Sequence, residues 1–357
     1  MKIITIVGAR PQFVKAAALS RELAKHNDIE EIIVHTGQHF DANMSGVFFE
    51  EMQIPKPKYN LAINSVGHGA MTGRMLEGIE QILLDEKPDL LLVYGDTNST
   101  IAGALAAKKI HIKVAHVEAG LRSFNMAMPE EVNRILTDRI SDLLLCPTQT
   151  AIDNLNQEGY QNIDAKIVNC GDVMQDAALF YAKTSQEKAS IGNTLPVEKF
   201  ILCTLHRAEN TDDPKRLTAI VEALNEIHQT TPVVLPLHPR TKAKIEALKI
   251  TLNVKLIEPV GYFDMIELLK KCALVMTDSG GLQKEAFFFQ KNCVTLRDQT
   301  EWVELIENKV NVLVGANASK IKTATKQMLA QQPNFDINLY GNGKACENIV
   351  REIKSLI

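Results

Sequence analysis

The sequence predicts an α/β protein built from two Rossmann-like, doubly wound domains that face each other across a cleft. Three observations lead there. At 357 residues the chain exceeds the size at which a single hydrophobic core stops growing. Short, continuously apolar, β-branched runs alternate with amphipathic helical stretches, the pattern of parallel strands covered on both faces. The alternation restarts after Val168 and Asn169, and both halves keep the same βα rhythm.

In the first half, strands are expected at 2–7, 31–36, 90–94, 114–117 and 143–146. Helices are expected between them at 13–26, 69–86, 98–108, 130–140 and 150–159. The second half offers strands at 200–204, 233–237, 254–257, 274–277 and 293–296, with helices such as 215–229 and 263–271. The boundary is placed near Gly171, so that 1–170 and 171–343 form the two domains. In sheets of this kind ligands bind beyond the carboxyl ends of the strands, so polar residues there carry the functional information.

Composition excludes several classes. A net charge of −4 gives no reason to expect nucleic acid or an anionic membrane as partner. No apolar run reaches membrane-spanning length, and the N-terminal run is too short for a signal peptide. The six cysteines are scattered, without CxxC or zinc-type spacing, which points to reduced thiols and a cytoplasmic location.

At the strand ends, residues 8–15 read Gly-Ala-Arg-Pro-Gln-Phe-Val-Lys. A glycine before a helix start presents backbone N–H groups, and Arg10 and Lys15 add positive charge, an arrangement suited to phosphate; it equally fits a plain βα turn with surface cations. Asp96 follows the strand at 90–94 and is either an N-cap or a functional carboxylate. The stretch 115–139 delivers Glu118 from a strand end, Arg122 from a loop, and Glu130 and Glu131 from the first turn of a helix opened by Pro129. Dipole complementarity, or a pair with Arg134 one turn on, explains a single glutamate there, but three carboxylates in so short a stretch call for more. His116 and Glu118 share a face, yet no third ligand has suitable spacing and no metal is expected.

In the second half, His206 and Arg207 follow a strand and offer a titratable donor and a cation, unless they form only a capped turn before the next helix. Residues 277–285, Thr-Asp-Ser-Gly-Gly-Leu-Gln-Lys-Glu, read as a nucleotide-diphosphate cradle. Gly280 and Gly281 let backbone N–H groups approach at a helix N-terminus, Ser279 adds a hydroxyl, and Glu285 stands one turn on, where a carboxylate reaches ribose hydroxyls.

The segments GARPQFVKAAAL, HTGQHFDANM, YGDTNST, AHVEAGLRS, MPEEVNRILTDR, TLHRAEN and TDSGGLQKEA stand in the order seen in the non-hydrolysing UDP-N-acetylglucosamine 2-epimerases. The chain resembles that family over essentially its whole length. Within it, the chain is most similar to the branch acting on UDP-2,3-diacetamido-2,3-dideoxy-D-glucuronate, whose manno product serves surface polysaccharide. The resemblance implies a GT-B-type fold, with the final helix at 344–357 packing back on the first domain. It also implies a homodimer, and neither metal nor NAD. It implies elimination of UDP to a bound 2-acetamidoglycal and re-addition after protonation of the opposite face of C2. By motif, Asp96, Glu118 and Glu131 become the acid–base candidates, and Arg10, Lys15 and His206 stabilise the departing diphosphate. Ser279, Gly280 and Gly281 hold the phosphates and Glu285 the ribose.

Four departures from the common family pattern stand out: Gln12 and Ala208 where Glu and Arg are usual, Leu237-His238-Pro239 in place of H-x-N-P, and Trp302 for an arginine near the expected pocket. They leave an allosteric UDP-sugar site in question and favour the uronate substrate over UDP-N-acetylglucosamine, the first alternative. A GT-B glycosyltransferase is the more distant one, since it has no use for so many carboxylates near C2.

Overall fold

The computed structural model describes residues 1–38, 54–191 and 199–357. Of the motif HTGQHFDANM, the residues from His39 onward lie outside the described residues, as does the side chain of Arg10. By its internal contacts the chain divides into two compact units, Met1–Ala177 with Asn338–Ile357, and Ala178–Ile337. The division falls inside the helix Val173–Ala182, just beyond the Gly171 at which the sequence pattern restarts.

The first unit holds β1 (Lys2–Val7), β2 (Glu30–His35), β3 (Tyr59–Asn60), β4 (Leu90–Tyr94), β5 (Lys113–Val117), β6 (Leu143–Cys146) and β7 (Lys166–Asn169). They form one sheet in the order β3-β2-β1-β4-β5-β6-β7, every pair parallel. All five residues of β4 are buried, which is why the strand reads as an unbroken apolar run. The helix Asn98–Lys109 lies close on this sheet because its inner residues are small; a Cβ on Gly103 would stand 3.0 Å from Ile6 Cγ1.

The edge strand β3 and, in the second unit, the strand Asn311–Leu313 were not expected. At two and three residues they are too short to show a sequence period. β3 is held from the side. Glu86, at the end of the helix His68–Glu86, takes hydrogen bonds from Lys58, from the Tyr59 hydroxyl at 2.6 Å and from Lys2 Nζ at 3.2 Å. Lys58 and then Tyr59 hold the Glu86 carboxyl down to about 2 from an ordinary 4.5. A depressed carboxyl contributes stability that is present above its unfolded value and is lost as pH falls through the folded one. The stability difference between the wild type and Glu86→Gln is therefore expected to shrink as pH falls from 4.5 towards 2. Thermal melts of both proteins over that range check this, and a constant gap would refute it.

The second unit holds β8 (Ile201–Thr204), β9 (Val233–Pro236), β10 (Lys255–Ile257), β11 (Leu274–Thr277), β12 (Cys293–Thr295) and β13 (Asn311–Leu313). Their order, β10-β9-β8-β11-β12-β13, is again fully parallel. Counted from each unit's own first strand, both sheets run 3-2-1-4-5-6 over six strands. The direction of winding reverses between β1 and β4, and between β8 and β11, so each unit has a switch point where loops part and a ligand can enter.

The final helix, Ala345–Leu356, belongs to the first unit and packs on the helix Arg10–Leu23 and on β6. Asp176 accepts the N–H groups of Ala345 at 3.1 Å and Cys346 at 2.8 Å, serving the helix start that its own residues leave uncapped. Ile349, Val350 and Ile353 are buried beneath it. All six cysteines are unbridged and buried, and burial pushes their thiols up.

Candidate active site

The first switch point gathers the loops after β1, β4 and β5. The loop after β1 differs from expectation. Gln12 Oε1 accepts the N–H groups of Gly8 at 2.8 Å and Ala9 at 3.0 Å, while its Nε2 donates to the Tyr94 carbonyl at 2.9 Å and to the Thr97 hydroxyl at 3.0 Å. Two N–H groups expected to face phosphate are thus spent on a buried amide that ties the β1 loop to the β4 loop. The positive charge remains. Lys15, almost fully buried, pairs with Glu118 Oε2.

Glu118 follows β5 directly with φ at 72°, a left-handed backbone that costs a non-glycine residue about 1–2 kcal/mol. Its N–H and that of Ala119 both donate to the Leu145 carbonyl, at 3.0 and 3.2 Å, and hold the turn in place. Gly95 makes room for the pair: a Cβ there would stand 3.2 Å from Glu118 Oε2 and 3.6 Å from Lys15 Nζ.

Asp96 does not cap the helix that follows it. Thr97 does so, accepting from the Thr100 N–H, and this leaves the Asp96 carboxylate for other work. That carboxylate pairs with Arg134, whose Nη1 donates to Glu131 Oε2 at 3.1 Å, so one guanidinium bridges two of the predicted carboxylates. Burial pushes the Asp96 carboxyl above its ordinary range and Glu118 adds to the effect, against the pull of Arg134 and Lys15. A raised carboxyl holds its proton more readily than a free one, which favours a part in proton transfer.

Glu131 is only 1% exposed. Its Oε2 also takes the Ser123 N–H and hydroxyl, both at 2.9 Å, and its Oε1 takes the Phe124 N–H at 2.8 Å. It therefore fixes both the 123–124 loop and Arg134. Glu130, one residue earlier, is exposed at the helix start, where its charge complements the dipole.

Arg122 turns inward, away from these groups. It makes a bidentate pair with Glu158 at 2.7 and 2.8 Å and a third bond to Asp138 at 2.7 Å. Asp138 in turn bonds His116 Nδ1 at 2.7 Å, and His116 Nε2 reaches the Gly95 carbonyl at 2.7 Å. Burial raises the Asp138 carboxyl, but His116 and Arg122 outweigh it and hold the carboxyl below its ordinary range. This buried chain clamps both acid-bearing loops from behind. Among the described residues no group of three or more His, Cys, Asp or Glu could hold a metal ion.

At the second unit's switch point, Ser279 caps the helix Gly280–Phe288 by accepting the Leu282 N–H at 3.4 Å. The two glycines differ in role. A Cβ on Gly280 would overlap Glu301 Oε1, whereas one on Gly281 would meet nothing within 4 Å, so a ligand can approach Gly281 freely. Glu285 is half-buried on the same helix. His206 is 44% exposed at the side chain, and its Nδ1 stands 3.3 Å from Asp278 Oδ1. Arg207 Nη2 lies 3.7 Å from the Cβ position of Gly280. Trp302 is a core residue, 4% exposed, with the Lys284 ammonium 3.9 Å from its ring centroid. His238 caps the helix Pro239–Ala247 through Nδ1.

The structure thus brings Lys15, Asp96, Glu118 and Glu131 together in the first unit, and His206, Ser279, Gly280 and Gly281 at the switch point of the second. The pairing of Arg134 with Glu131 follows the helix spacing, but its reach to Asp96 was not expected, nor was Asp278, although its place at a strand end was a visible signal.

A family profile described as UDP-N-acetylglucosamine 2-epimerase matches residues 21–354. A Pseudomonas aeruginosa protein named UDP-2,3-diacetamido-2,3-dideoxy-D-glucuronate 2-epimerase is 59% identical over 357 residues, covering 100% of both chains. A solved structure of the Methanocaldococcus jannaschii UDP-GlcNAc 2-epimerase with UDP-GlcNAc and UDP has a TM-score of 0.87 at 44% identity, covering 99% of this chain and 100% of that one. The Neisseria meningitidis UDP-GlcNAc 2-epimerase bound to UDP-GlcNAc reaches 0.89 at 32% identity, with 99% and 100% covered. The fold is GT-B-type, as in these neighbours. A profile match across nearly the full length, joined to relatives aligned from end to end, shows that the chain belongs to the UDP-N-acetylglucosamine 2-epimerase family.

Proposed function

We propose that this protein inverts C2 of UDP-2,3-diacetamido-2,3-dideoxy-D-glucuronate. The observation that carries the reading is the set of carboxylates at the first switch point. Glu118 is paired with Lys15, and Asp96 is held by an arginine that Glu131 fixes. The C2 proton is not adjacent to a carbonyl, so a route through elimination is needed. One carboxylate takes the proton from C2 as the C1–O bond breaks, and its electron pair leaves with the diphosphate, giving a 2-acetamidoglycal. A second carboxylate protonates the opposite face of C2, and the diphosphate oxygen returns to C1. Asp96 and Glu118 are the acid–base pair in this scheme, and Glu131 supports Asp96 through Arg134. Arg10, Lys15 and His206 stabilise the leaving diphosphate. Ser279 and the N–H groups of Gly280 and Gly281 hold the phosphates at a helix start, and Glu285 holds the ribose.

The uronate is favoured by the 59% identity to the Pseudomonas aeruginosa protein of that name. UDP-N-acetylglucosamine is the second reading, favoured by the 45% identity to the Methanocaldococcus jannaschii enzyme named for it. The protein is further read as a cytoplasmic homodimer whose product serves surface polysaccharide; six unbridged cysteines support the compartment. Incubation with each UDP-sugar in D2O, followed by NMR at C2, tests the activity. Deuterium should enter C2 with the UDP linkage intact and a manno epimer should appear. Unlabelled sugar, or net release of UDP, would refute epimerisation, and equal turnover of UDP-N-acetylglucosamine would refute the uronate assignment.

A further inference from the structure

We propose that Asp278 is a positioning residue for His206, fixing the imidazole so that Nε2 delivers a proton to the departing diphosphate oxygen. The proposal rests on the epimerase reading above. Asp278 is fully buried in the turn between β11 and the helix Gly280–Phe288. Its carboxylate accepts the N–H of His206 at 3.2 and 3.1 Å and the N–H of Arg207 at 3.0 Å. It also accepts from Asn210 Nδ2 at 3.3 Å. The Asn210 amide is itself fixed, since Nδ2 donates to the Leu296 carbonyl at 2.8 Å and Oδ1 accepts from Arg216 Nε at 3.1 Å. Asp278 is thus surrounded by donors and acts as an acceptor throughout.

The main chain and Asn210 already satisfy a purely structural carboxylate. The ring contact goes beyond that need: His206 Nδ1 lies 3.3 Å from Asp278 Oδ1, while Nε2 has no protein partner among the described residues. A carboxylate beside Nδ1 favours the Nδ1–H form and leaves the Nε2 lone pair to a ligand. Protonated, Nε2–H donates to the diphosphate oxygen as the C1–O bond breaks. The neutral ring then holds a lone pair at Nε2 and takes the proton back when the oxygen returns to C1, so the cycle is balanced without any other reactant.

Asp278→Asn keeps one oxygen for the main-chain N–H groups but presents an amide donor to Nδ1, which selects the opposite tautomer. A misdirected tautomer in a comparable carboxylate–histidine pair lowers turnover by about 10⁴-fold, and the partly exposed ring here is expected to lose roughly 100-fold in kcat or more, with KM within about 3-fold. In a His206→Asn background the same change should cost no further kcat, which a structural role would not produce. Nitrogen-15 NMR of the wild-type protein without ligand should show neutral His206 as the Nδ1–H tautomer. That measurement needs neither turnover nor a folded variant, so it stands apart from any failure of the epimerase reading. An Nε2–H tautomer in the wild type overturns the proposal. So does an Asp278→Asn kcat within about 3-fold of wild type, or an equal loss in the His206→Asn background.

Discussion

Glu118→Gln is expected to lower epimerase turnover by about 10²–10⁴-fold while UDP binding stays within a few-fold. The amide keeps the shape of the carboxylate, and with it the crowded fit beside Gly95, but it can neither take nor give the C2 proton. Lys15 loses its ionic partner in a setting where the two side chains are only 10% and 13% exposed. A charge-assisted contact of this kind is worth about 1.5–3 kcal/mol, so the melting temperature should fall as well. Deuterium entry at C2 and UDP titration calorimetry separate the two effects. A variant that still exchanges the C2 proton at the wild-type rate would remove Glu118 from the chemistry.

Gly120→Ala is expected to destabilise the first unit by about 3 kcal/mol or more and to abolish activity with it. Gly120 has φ at +79°, where an alanine alone costs about 1–2 kcal/mol. The added Cβ would also overlap the Ala151 backbone carbonyl, which cannot swing aside as a side chain could. The Gly120 N–H donates to Asp138 at 3.1 Å, so any shift of the loop pulls on the buried chain behind Asp96 and Glu118. Gly281→Ala is the control, because its Cβ meets nothing within 4 Å and the fold should hardly notice it. Urea denaturation of both variants measures the contrast, and equal stabilities would refute the strain argument.

Much of the architecture was legible because parallel strands buried on both faces must be apolar along their whole length. β4 and β6 are unbroken apolar runs for that reason, and the glycines at 95 and 280 stand where the chain leaves each sheet. The short edge strands β3 and β13 were not legible, since pairing rather than side-chain pattern defines them.

The sequence by itself determined the parallel α/β class and which strand ends carry carboxylates, cations and glycines, because those follow from local pattern and residue chemistry. Only the tertiary structure decided how the polar groups are partnered. Arg122 stands next in sequence to the acid loop, yet its partners Asp138 and Glu158 draw it inward. Gln12 looks like a phosphate-loop residue, yet its amide consumes the N–H groups that would have faced a phosphate. Arg134 looks like a partner for the glutamates of its own helix and Asp278 looks incidental, yet Arg134 also reaches Asp96 and Asp278 holds His206. A long polar side chain on a turn can reach in several directions, and its direction is set by acceptors brought near by the fold rather than by its neighbours in the chain.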